Sequence, residues 1–193
     1  LDLAAQQIFE NRPEIKEKII RIMKKFQEKY MPLPMFHVTS SGIENSGTKT
    51  STGFIENIAS NGLRARDTNV AAFVESGSGG VLATPEYFIE HPENFVKSII
   101  LFSKRYFHHG SRTNKDILGG KRDLGTGVPI MLVIRGGHPL EHGSDYEDHY
   151  KLKETVPAED IEILELSKFR PYNEHIPDLA NAVLGSMAKL ASL

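Results

Sequence analysis

The sequence predicts an α+β domain: a helical segment, a set of short strands, and a closing helix. Three observations predict it. Apolar residues recur at three- and four-residue steps over 13–30 and again over 177–190. Between them lie short apolar runs bounded by Gly and Pro, of which 128–135 is the clearest. The chain has 193 residues, 39% hydrophobic and 25% charged. That is enough to bury a core in one domain, and is not the composition of a disordered chain.

Composition also narrows function. The formal net charge is −2, so no global basic field draws in nucleic acid, and any anion recognition comes from a local patch. Cysteine is absent, which removes disulfides, thiol nucleophiles and thiolate-bound zinc. No apolar run reaches the roughly 18 residues that a membrane-spanning helix needs. A soluble protein, cytoplasmic or secreted, is expected. Leu1 in place of Met suggests a piece of a longer chain.

The order of elements divides the chain into an N-terminal helical segment (1–33), a core (34–170) and a C-terminal helix packed on it (171–193). Leu3, Ile8 and Phe9 open the first segment. Pro13 suits the first turn of a second helix, whose apolar stripe is Ile15, Ile19, Ile22, Met23 and Phe26 with lysines opposite. That face is a packing surface or, alternatively, a membrane-surface helix. Pro32 and Pro34 end it.

Residues 34–40 read as a strand, 41–52 as a polar loop, and 54–63 as a short helix that Gly62 stops in a left-handed conformation. Gly80 to Thr84 reads as a buried strand, and Pro85 opens a turn or helix. Residues 96–102 fit strand or helix equally. Residues 103–127 lack periodicity and read as a long loop. The run 128–135 is apolar throughout, which predicts a central strand buried on both faces. Further strands are expected at 146–155 and 160–166, and Pro177 opens the last helix, with Leu179, Val183, Met187 and Leu190 on one face.

Four short motifs fall in order along this core. They are His37-Val38-Thr39 on the first strand, Ile58-Ala59-Ser60-Asn61-Gly62-Leu63, Gly80-Val81-Leu82-Ala83-Thr84, and Val156-Pro157-Ala158-Glu159-Asp160-Ile161. The ordered set resembles the ADP-ribosyltransferase superfamily, which includes poly-ADP-ribose polymerases, bacterial toxins and RNA 2′-phosphotransferases. The resemblance covers about 36–166 and rests on short, degenerate motifs.

The resemblance implies split mixed or antiparallel β-sheets and NAD as co-substrate. It implies a transferase or NAD glycohydrolase, such as a bacterial effector or toxin domain, that cleaves the nicotinamide–ribose bond. His37, Thr39, Arg64, Thr84 and Tyr87 would contact NAD. Glu147, with Glu154 as the other candidate, would stabilise the oxocarbenium-like sugar, as acidic groups do in glycoside cleavage. His37 and Glu147 are thus the expected catalytic pair. Leu82 stands where the family carries an aromatic, so Tyr87, Phe88 or Phe95 would supply the face that stacks on nicotinamide. Two alternatives follow: a binding module for NAD, ADP-ribose or a nucleotide without catalysis, and an RNA 2′-phosphotransferase-like enzyme.

Other groupings carry a plain reading beside a sharper one. Arg64 and Arg66 are surface arginines or forks for a pyrophosphate. His108, His109, Arg112, Lys115, Lys121 and Arg122 form a charged loop or an anion contact. His138, His142 and His149 stand near Glu141, Asp145 and Glu147, but Gly137, Pro139 and Gly143 make this loop rather than a helical metal motif, so no metal is expected. Residues 76–80 lack the Gly-Lys-Ser/Thr ending of a phosphate loop, and no serine-hydrolase elbow is present.

Overall fold

The computed structural model describes residues 2–40, 58–63, 81–104, 129–142, 150–166 and 176–193. Helix α1 (Asp2–Asn11) leads into α2 (Glu14–Lys29). Pro13 sits one residue ahead of the expected first turn, as the N-cap of α2 at φ −60°. Glu14 and Glu17 in the first turn and Lys29 in the last complement the helix dipole. Ile15, Ile19, Met23 and Phe26 are buried along one stripe. Tyr30 then turns extended, and Pro32 and Pro34 just beyond it keep the helix from resuming.

Strand β1 (Met35–Ser40) lies between β2 (Val81–Ala83) and β3 (Pro129–Ile134), and β3 also pairs β6 (Ile161–Glu165). The sheet order is β2-β1-β3-β6, with every pairing antiparallel. A separate two-stranded sheet joins β4 (Leu140–His142) to β5 (Tyr150–Leu152). Among the described residues the split sheets are therefore antiparallel rather than mixed. The expected strand 146–155 is a strand only over β5; 146–149 lie outside the described residues.

Thr84 ends β2 and caps α3 (Pro85–Glu90), accepting the Tyr87 N–H at 3.2 Å. The run that sequence left open at 96–102 is helical, within α4 (Pro92–Lys104). Phe95, Val96, Ile99 and Ile100 are buried in it. Their pairwise recurrence at four residues is a helical period, and this outweighs the strand propensity of Val and Ile. Helix α5 (Ile176–Ala191) begins one residue before Pro177 and buries Leu179, Val183, Met187 and Leu190 as expected.

The four-stranded sheet has two covered faces. On one, Phe36, Val38, Ala83, Met131 and Val133 meet the helices. Phe36 lies edge-on to Phe26 at 5.2 Å, and Phe88 edge-on to Phe95 at 5.5 Å. On the other, Met35, Leu82, Ile130, Leu132 and Ile134 meet Ile58, Leu63, Leu152 and Val156. Strand β3 supplies both layers, which is why its sequence is apolar without alternation.

Candidate functional site

His37 lies in the middle of β1, opposite Leu82 on β2 and Leu132 on β3. Directly opposed residues of antiparallel strands share a face, and both leucines belong to the layer away from the helices. His37 therefore faces that second layer. It is 3% exposed, and its Nδ1 is buried without a hydrogen-bond partner. Burial alone pushes its imidazole down to about 4. The ring is neutral at physiological pH, with one N–H to donate and one lone pair to accept. It is a weak base, suited to hydrogen bonding rather than to proton transfer.

The segments carrying the other motifs come to the same face. Residues 58–61 are helical and Gly62 follows at φ 81°, the left-handed stop expected of it. Leu63 then forms an antiparallel bridge with Val156, donating its N–H to the Val156 carbonyl at 3.0 Å and accepting in return at 2.9 Å. A Cβ on residue 62 would lie 2.0 Å from the Val156 carbonyl oxygen. Glycine thus lets the second and fourth motifs touch through their backbones. Ile58, Leu63, Leu82 and Val156 are all buried in the layer His37 faces.

The remaining expected site residues fall differently. The Thr39 backbone pairs with Ile130 in β1. Thr84 uses its hydroxyl as the α3 cap, so its first role is structural. The expectation that Tyr87 stacks a ligand ring beside His37 is corrected. Tyr87 packs against the helical layer on the opposite sheet face, 5.7 Å from Phe88 and 5.2 Å from the His91 ring, with its hydroxyl accepting from Asn94 at 2.7 Å. Phe88 and Phe95 are buried in that same helical layer. Glu154 is exposed. Arg64, Glu147 and the basic residues of 105–122 lie outside the described residues.

A polar cluster lies past the other end of β3, and it pairs His138, named above beside other histidines, with a partner from the Val156–Ile161 motif. His138 Nε2 lies 2.9 Å from Asp160 Oδ2, Arg135 meets Glu162 at 2.7 Å, and the Arg135 guanidinium stacks over Tyr30 at 4.9 Å. No three His, Asp or Glu side chains gather as a metal site among the described residues. Lys97 is a second surprise: only 7% exposed, on α4, with burial pulling its ammonium below the ordinary lysine range. Its position between buried Val96 and Ile99 in a helical stripe was the available signal.

Comparison with family models, curated proteins and solved structures returns no match for this chain.

Proposed function

We propose that this domain handles NAD in the manner of an ADP-ribosyltransferase, cleaving the nicotinamide–ribose bond over the sheet face that carries His37. One observation supports the reading above others. Motif segments spread over more than a hundred residues of sequence, from His37 to Val156, meet in a single layer on one side of the sheet. A neutral, buried imidazole with an unpaired nitrogen sits in that layer. An unsatisfied buried polar group costs about 1–3 kcal/mol, and a ligand hydroxyl would recover it.

In this reading His37 orients the sugar by hydrogen bonding and transfers no proton. Glu147 stabilises the positive charge that builds on the ribose as nicotinamide departs with the bonding pair. Water or an acceptor nucleophile then takes the ribose carbon. The test is nicotinamide release from NAD by wild type, His37→Leu and Glu147→Gln. Loss of at least tenfold in both variants is expected, with folding retained; equal rates in all three would discard the assignment.

A second reading is favoured by Leu82, buried where the family carries an aromatic, and by Tyr87 on the far face. Without a stacking ring the domain binds NAD or ADP-ribose and does not turn it over. Calorimetry showing ADP-ribose binding with no nicotinamide release selects this reading.

A further inference from the structure

Helix α2 carries six basic side chains against three acidic ones, a net +3 within a chain of net −2. The remainder of the chain, with 17 basic and 22 acidic side chains, is net −5, so α2 carries a local excess of positive charge. Lys16, Lys18, Arg21, Lys24, Lys25 and Lys29 are all exposed. Lys18, Arg21, Lys25 and Lys29 follow one another at three- and four-residue steps, which places them in a row along one flank of the helix. The row spans eleven residues, or about 16 Å at the helical rise. Lys29 is partly tethered, donating to the Leu193 carbonyl at 2.7 Å. Glu14 is paired with Arg12, and Glu17 and Glu28 border the row on its solvent side.

We propose that this row is a docking surface for the phosphodiester backbone of a double-stranded nucleic acid. Successive phosphates along one strand lie roughly 6–7 Å apart, so a row of about 16 Å follows two or three phosphates of one backbone. Long lysine and arginine side chains reach such a backbone without reading sequence. Single strands fit less well, because they call for exposed aromatic faces beside the cations. Among the described residues, the aromatics at this end are Phe26, which is buried, and Tyr30, which is half-buried and stacked on it. A bilayer also fits less well. Amphipathic helices that bind membranes immerse an apolar face, and here Ile15, Ile19, Met23 and Phe26 are sealed in the core. The surface lies on the helical side of the sheet, away from His37, and is independent of how NAD is handled.

The test is fluorescence anisotropy with labelled duplex DNA and duplex RNA of about 20 base pairs, from about 50 to 200 mM salt. Wild type, Lys18→Gln/Arg21→Gln/Lys25→Gln and the exposed control Lys153→Gln are compared. Expected is wild-type binding whose logarithm falls steeply with log salt, by about 0.9 per phosphate engaged. The triple variant should lose at least tenfold in affinity and about two to three units of that slope, while the control matches wild type. A preference for one duplex would identify the source of the backbone. No binding by wild type, an unchanged triple variant, or capture by phosphatidylserine vesicles with the duplexes ignored would overturn the proposal. Unchanged thermal unfolding of the triple variant confirms that exposed side chains alone were altered.

Discussion

At the scale of single residues, His37 sets its proposed ligand contact against stability. Its imidazole protonates near 6.5 in an unfolded chain and at about 4 in the fold. Between those values the unfolded state binds the extra proton, so acid pulls the equilibrium toward unfolding. Stability should fall as pH drops from about 6.5 to about 4 and stay level above that window. The shift corresponds to roughly 3 kcal/mol. Urea unfolding at several pH values checks this, and His37→Leu should flatten the profile across the window. The same variant removes an unpaired buried nitrogen from an apolar layer, so it should raise the melting temperature at pH 7 and, on the proposed function, lower nicotinamide release at least tenfold. Gly62 carries the opposite risk. An alanine there would drive its Cβ against the Val156 carbonyl and hold a left-handed backbone. Gly62→Ala should cost about 2–4 kcal/mol, read as a lower urea midpoint, and loosen the Leu63–Val156 bridge.

At the scale of elements, signals local to a segment were legible and signals from pairing were not. The α2 and α5 stripes, the Pro32–Pro34 stop, the Gly62 stop and the buried strand β3 all follow from periodicity and from Gly and Pro chemistry. Residues 96–102 are ambiguous taken alone because Val96, Ile99 and Ile100 suit either structure; the four-residue recurrence that decides for helix emerges once Phe95 is read with them and all four are buried against the other helices. Tyr87 misled for a related reason. The resemblance calls on it as a substitute for the family aromatic missing at Leu82, but α3 turns it onto the helical side. The His138–Asp160 pair spans two segments and left no local trace. The turn that redirects Tyr87 depends on its cap. Thr84→Ala removes the acceptor for the Tyr87 N–H and should cost about 1 kcal/mol. Serine in its place should restore most of that, since the hydroxyl and not the methyl group makes the bond. Denaturation midpoints of the two variants separate these outcomes.

At the scale of the whole molecule, one sheet carries two cores, and β1 and β3 contribute side chains to both. A wall shared in this way couples the layers energetically while keeping them apart in space. Phe88, fully buried among the helices, and Leu132, fully buried beside His37, probe the two sides. Phe88→Ala should destabilise by about 3–5 kcal/mol and Leu132→Ala by about 2–5 kcal/mol, since each leaves a cavity in a packed layer. Because the strands are shared, both variants should still unfold in a single transition, with the midpoint moved and the dependence on denaturant unchanged. Ligand binding should divide them. On the proposed function, ADP-ribose affinity, measured where both variants are folded, should survive Phe88→Ala and weaken in Leu132→Ala, because only the second changes the surroundings of the His37 ring. Two separate unfolding transitions would make each face its own cooperative unit. Equal loss of affinity in both variants would mean that the sheet transmits strain between its faces, and the His37 layer would then no longer stand as a site distinct from the helical core.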